Sequence, residues 1–167
     1  MPVVDDIYLG NPNLKKANVV QDFTQEQILE FMRCKANPVY FAKKHVKIVT
    51  LDHGLMPFEP YDFQEGLINN FHRERFNICK MPRQTGKSTT VISYLLHYLL
   101  FNDSVNIGIL ANKAATAREL LGRLQTAYEN VPKWMQQGVL SWNRGSLELE
   151  NGSKILAAST SASAVRG

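Results

Sequence analysis

Gly86-Lys87-Ser88 lies between two apolar runs of different kinds, and that setting constrains this chain more than any other feature. Ahead of it, Phe76, Ile78, Cys79 and Met81 read as a buried strand. Behind it, 91–101 is apolar almost all round and reads as a helix packed on several sides. A strand that enters a polar loop and leaves as a helix directs backbone N–H groups at an anion, and the helix N-terminus adds partial positive charge. Lys87 is then expected to reach the β- and γ-phosphates of a nucleoside triphosphate, and the Ser88 hydroxyl to complete the shell of a Mg²⁺. Arg83, Gln84, Thr85, Gly86 and Thr89 fill out the run around those phosphates. The usual spacing G-x-x-x-x-G-K-[ST] is altered, because its first glycine position holds Met81. Gly-Lys-Ser alone is also what a polar turn before a helix looks like; the strand-then-helix context favours the phosphate cradle.

The rest of the chain bounds what surrounds that loop. Its 167 residues suffice for one domain with a sizeable core, and 44% apolar with 20% charged residues is the balance of a globular protein. No window approaches the ~20 apolar residues of a membrane span, since the longest apolar stretch is broken by Ser93 and His97. The first residues, with Asp5 and Asp6, have neither the basic nor the apolar region of a signal peptide. Cys34 and Cys79 fall in a helix and a strand with no reason to pair, which makes a reducing compartment the default. A net charge of +4 permits contact with nucleic acid without demanding it.

Residues 1–21 lack periodicity and read as an extended arm; 22–58 read as a small helical region; 59–167 read as part of a nucleotide-binding domain. Thr24 and Gln27 form a capping box, Phe23 can staple onto Ile28, and Ile28, Phe31 and Met32 make the inward stripe of the first helix. Asn37-Pro38 stops it and opens a second over 38–45, followed by a strand-like run over 46–51. The spacing of Phe63, Leu67, Ile68 and Phe71 predicts a helix over 59–71. After the 88–101 helix come a strand over 105–111 and a helix over 114–129 with Ala117, Leu120, Leu121, Leu124 and Tyr128 on one face. This order predicts an α/β fold built on a parallel sheet. Near the end, Leu147 and Leu149 alternate with Glu148 and Glu150, and Asn151-Gly152 signals a type I′ hairpin.

A second acidic element, four apolar residues ending in Asp and often followed by Glu, is needed to hold Mg²⁺ through water and to polarise the attacking water. It does not follow Ser88, because the acids at 148 and 150 alternate with leucines instead of ending a buried strand. The sequence therefore carries the binding half of an ATPase.

The order of these pieces resembles the large terminase subunit of tailed bacteriophages, in particular the contractile-tailed, large-genome group. The residues that carry the resemblance are Arg83-Gln84-Thr85-Gly86-Lys87-Ser88, Ile107-Gly108-Ile109-Leu110-Ala111-Asn112-Lys113, the stretch from Ser141-Trp142-Asn143-Arg144-Gly145-Ser146 through Asn151-Gly152-Ser153, and the closing Ala164-Val165-Arg166-Gly167. The resemblance implies the P-loop NTPase fold of the RecA-like class, present in part and ending in the hairpin. It implies an ATP hydrolase that uses ATP and Mg²⁺ to drive double-stranded DNA into a procapsid. The chain would be an N-terminal fragment without the acidic strand or the nuclease half. The implied partners are double-stranded DNA, the portal protein, the small terminase subunit and further copies in a ring, with no membrane. The implied location is the host cytoplasm, transiently on the procapsid and not in the mature virion.

By position, the resemblance makes Gln64 a reader of the adenine edge, for which an amide supplies both donor and acceptor; from the residues alone it could equally sit on a solvated helix face. Phe63 could stack on a base or pack in the core. Arg83 gains a catalytic or coupling role beside Lys87, as a cation able to neutralise charge developing on the γ-phosphate. Lys113, Arg144 and Arg166 are the leading DNA-backbone contacts, with Arg118, Arg123 and Lys133 behind them. Two other readings stay open: a helicase-like nucleic-acid-dependent ATPase, and a nucleotide-binding or interaction fragment without turnover. With its apolar helix faces and the edge beside the loop strand uncovered, the fragment is expected to be marginally stable alone.

Overall fold

The computed structural model describes residues 6–50 and 52–160. Local grammar sets its first helix. Thr24 accepts a hydrogen bond from the Gln27 N–H at 3.2 Å, and the Gln27 side chain accepts one from the Thr24 N–H at 3.0 Å, closing a capping box at the head of α1, Gln25–Ala36. Asn37 ends α1, and its Oδ1 accepts the Tyr40 N–H at 2.9 Å to start α2, Pro38–His45. Pro38 stands at the first position, where the missing N–H costs nothing.

The inward stripe of α1 differs from the expected one. Ile28 and Met32 are more than half exposed, whereas Phe31 packs edge-on against Phe101 and Cys34 is fully buried. The buried line is rotated toward Glu30, which accepts from His45 Nε2 at 2.7 Å, Tyr40 Oη at 3.0 Å and Lys44 Nζ at 3.1 Å. Burial pushes the Glu30 carboxyl up, but the bonds from His45, Lys44 and Tyr40 outweigh it and hold the group down at about 2. A satisfied carboxylate, not an apolar stripe, fastens α1 to α2.

Strand β1, Ile7–Tyr8, and β2, Asn11–Lys15, form a small antiparallel hairpin in the stretch read from sequence as an arm. Leu14 is buried, and the Gln136 amide accepts the Lys15 N–H and donates to Asn13 O, tying the hairpin to the later half of the chain. The run at 46–50 becomes β3, Lys47–Thr50, paired antiparallel with β4, Gly54–Pro57; Leu51 lies outside the described residues. Helix α3, Asp62–Arg73, buries Gln64 and Ile68 but leaves Phe63 exposed, so Phe63 does not serve the core.

Helix α4, Lys87–Phe101, holds the centre with Leu96, Leu99 and Leu100 buried. Helix α5, Ala114–Glu129, packs on α4 on one side and on β5, Asn106–Ala111, and β8, Lys154–Ser159, on the other. A short 3₁₀ turn at Lys133–Met135 leads to β6, Val139–Trp142, and β7, Ser146–Leu149. The sheet order is β5-β8-β7-β6. Only β5 and β8 run parallel, with β8, β7 and β6 antiparallel, so the parallel sheet expected from element order is a mixed sheet. The closing hairpin carries β8 back beside β5, which puts both pairings in one layer.

Two further expectations are corrected. The hairpin turn is not type I′, which needs positive φ at both central residues; only Gly152 is left-handed, at φ 79°. Gly152 N donates to Leu149 O and Leu149 N to Ser153 O, the pattern of a type I turn closed by a glycine bulge. The strand expected ahead of the loop is also absent. Residues 76–82 have no regular structure, Phe76 is 83% exposed and Ile78 fully so. A strand exists only with a ladder partner, and no described strand pairs with this segment, apolar as it is.

Candidate functional site

The chain reaches α4 through a turn at Arg83 and Gln84, and two residues there have left-handed backbones: Gln84 at φ 61° and Gly86 at φ 71°. Gly86 is the N-cap of α4, and a Cβ on it would lie 2.5 Å from Gln64 Nε2. The left-handed backbone favours glycine here, and any larger residue would also have to displace the Gln64 amide from its bond to Thr85 O. Gln64 itself is 3% exposed; its Oε1 accepts the Tyr61 N–H at 2.9 Å and its Nε2 donates to Thr85 O at 3.3 Å. It both closes the head of α3 and seats the loop from beneath.

The loop is braced by its own side chains. Thr85 Oγ1 donates to Pro82 O at 3.1 Å, Lys87 Nζ to Met81 O at 3.3 Å, and the fully buried Thr90 Oγ1 to Gly86 O at 3.0 Å. The helix head they present is bare. Gly86 offers no capping side chain, and the first turn of α4 contains no acidic residue. Glu26 in α1 and Asp62 with Glu65 in α3 stand at that place in their helices, whereas α5, like α4, starts with neither a side-chain cap nor an acid. With no cap and no carboxylate, the positive end of the α4 dipole is left without a side-chain partner among the described residues.

Above that end lies a cavity of about 350 Å³ lined by residues 82–89 and Arg123. Every charged residue lining it is a cation: Arg83, Lys87 and Arg123. Arg83 is exposed and makes no ion pair among the described residues, and Ser88 is exposed at the second position of α4. The arrangement suits a compact, multiply charged oxyanion that accepts from amides and from cationic side chains together.

Two of the three leading expected DNA contacts fall among the described residues. Lys113 is exposed at the N-cap of α5. Arg144 is exposed in the β6–β7 turn, where it borders a cavity of about 590 Å³ with Arg118 and Ala115. Arg166, with the closing 161–167 segment, lies outside the described residues. Sequence reasoning grouped Arg123 with these cations, but the structure puts it over the loop. No local signal could have shown this, since which side of an exposed helix faces the loop depends on how α5 packs against α4.

Two acidic clusters are accounted for without a ligand. Glu148 pairs with Lys154 at 2.8 Å across the hairpin, and Glu150 accepts from Gly138 N and Asn18 N at 2.7 and 2.8 Å. Glu30, Cys34 and His45 bring donor atoms within 4.8 Å of one another, a set suited to a metal. Lys44 already sits on the shared carboxylate as its cation, and burial with the adjacent Glu30 charge pushes the Cys34 thiol up to about 12, far from a thiolate ligand. That cluster is structural.

In comparison with known protein families, the model of a family described as terminase large subunit, T4-like-virus type, N-terminal, matches residues 78–167, more than half of the chain, from the segment ahead of the loop onward.

Proposed function

The chain belongs to the N-terminal family of the T4-like-type terminase large subunit, and on that premise we propose that it is the ATP-binding part of a viral DNA-packaging motor. The observation that carries the reading is the bare head of α4, capped by a left-handed glycine and surrounded by Arg83, Lys87 and Arg123 over one cavity. In this reading the loop, α4, β5 and α5 are part of a P-loop NTPase fold. The amides at 86–89 and the Lys87 ammonium hold the β- and γ-phosphates, with Gln84, Thr85 and Thr89 shaping the loop. Lys87 exchanges its present bond to Met81 O for a phosphate oxygen. Arg83, at the rim and without an ion pair among the described residues, offsets the charge that develops on the γ-phosphate. Ser88 would hold Mg²⁺, which neutralises the triphosphate when bound. Gln64, buried with its amide committed to Tyr61 N and Thr85 O, would serve the site by holding the loop from α3 and not by reading the adenine edge expected of it.

Lys113 and Arg144, with Arg166 beyond the described residues, are the proposed contacts to the backbone of double-stranded DNA. The assembled motor would be a ring on the portal of a procapsid in the host cytoplasm, supplied by the small terminase subunit. A second reading, binding without turnover, rests on one observation: no carboxylate lines the loop cavity to polarise a water.

Calorimetric titration of the 167-residue chain with MgATP tests the proposal. Lys87→Ala should weaken binding by ~10–100-fold, the loss of roughly 1.5–3 kcal/mol from a hydrogen bond to a charged group. Undiminished affinity in that variant would overturn the reading, and phosphate release by the same chain separates turnover from binding alone.

A further inference from the structure

We propose that Arg123, from α5, is a polyphosphate-binding residue of the loop site, and that its ion pair with Glu119 is a latch holding it off until the anion arrives. The inference rests on the nucleotide-binding reading and adds to it a group from outside the loop. Among the described residues, Arg123 is the one outside 82–89 that lines the loop cavity. It also borders, with Thr89, the adjoining cavity of about 860 Å³ between β3, α4 and α5, so its side chain stands where the two spaces meet.

Its present partner is weak. Arg123 Nη2 donates to Glu119 Oε1 at 2.7 Å one turn earlier on the same helix, and both side chains are more than half exposed. An exposed pair of this spacing holds its partners only loosely against solvent and salt. A triphosphate offers the guanidinium several oxygens, paired geometry and more charge than one carboxylate. The exchange is therefore favourable in direction, and it needs only side-chain rotation, since Leu121 and Leu124 fix the backbone of α5 in the core on either side. Glu119 opposes the exchange in two ways: it occupies the guanidinium, and it places a negative charge beside the entering anion.

Titration of the 167-residue chain with inorganic tripolyphosphate, which has no base or ribose to mask the effect, and then with MgATP, tests this. Arg123→Ala should weaken both by about tenfold, and Arg123→Lys should recover only part of that because an ammonium lacks the planar fork. Glu119→Gln should instead tighten both by about twofold, the fold-change expected from releasing an exposed ion pair. A merely structural pair would make the two single variants act alike, so a Glu119→Gln chain that binds more weakly overturns the latch. Arg123→Ala affinity within twofold of the wild type overturns the binding role. Circular dichroism melts of each variant confirm that the exposed positions leave the fold intact. Binding that depends on Lys87 and not on Arg123 would sink this inference alone; a wild-type chain that binds neither anion would sink the loop reading beneath it.

Discussion

The heads of α1 and α4 are two solutions to one problem. Every helix begins with amides that have no partner in the helix. At α1 the chain answers from within, with Thr24 and Gln27 exchanging bonds and Glu26 set against the dipole. At α4 it withholds every one of those devices: the cap is a glycine, no acid follows, and the nearby side chains brace the loop's carbonyls instead of its amides. An unfinished start is not enough alone, since α5 also lacks a cap and an early acid; at α4 it is joined by a left-handed glycine and three cations over one cavity, and there an outside anion is expected.

The largest expected effect comes from closing the open end by force. Gly86→Ala places a methyl against Gln64 Nε2 and asks a substituted residue to keep φ 71°, a strain of roughly 1–2 kcal/mol before the clash is counted. MgATP affinity should fall by more than ~100-fold as the loop shifts, together with a lower melting temperature. Retained affinity would show that the left-handed cap is dispensable.

The α1 side should respond to acid. His97 donates from Nε2 to Cys34 O at 2.9 Å, joining α4 to α1, and its Nδ1 has no partner. Burial, opposed by that bond and reinforced by the nearby His72, holds the His97 ring down at about 4, below the usual histidine value near 6.5. The unfolded chain then takes up the proton first, so stability is full above about pH 6.5 and falls as the pH drops toward 4. Denaturant unfolding across that window should show the slope, and His97→Gln should flatten it. An equal slope in the variant would assign the acid sensitivity elsewhere.

Thr24→Ala should cost about 1 kcal/mol through the lost cap, a fall of ~2–4 °C in melting temperature, with MgATP affinity unchanged. A change in affinity would mean that the two helix heads are not independent. The smallest effect is the most discriminating. Thr89→Glu gives α4 the acid it lacks, so stability should rise by about 0.3–1 kcal/mol while nucleotide affinity falls. Movement of both in the same direction would contradict the contrast between the two ends.

What the sequence made legible follows from how local each feature is. The Thr24–Gln27 box, the Asn37-Pro38 junction and the span of α5 depend on neighbours within four residues, and each stands where the pattern put it. Features that depend on distant partners were read less well. The apolar 76–81 run has strand composition but no ladder partner among the described residues, and β8 joins β5 through a mixed sheet that element order alone did not foretell. Glu30 turned α1 inward because three groups from α2 satisfy it, which no helical wheel of α1 shows. At the candidate site, Gly86-Lys87-Ser88 was legible as a motif. The support from Gln64 beneath it and the presence of Arg123 above it arise from packing across 21 and more residues.

The central claim is that the first amides of α4 are an anion site and those of α1 are not. Backbone ¹⁵N–¹H spectra of the labelled chain during titration with inorganic tripolyphosphate test it directly. Saturable shifts confined to the amides of 84–90, with 25–28 unmoved, are the predicted result. Unmoved amides at 84–90, or equal movement at both helix heads, would contradict it.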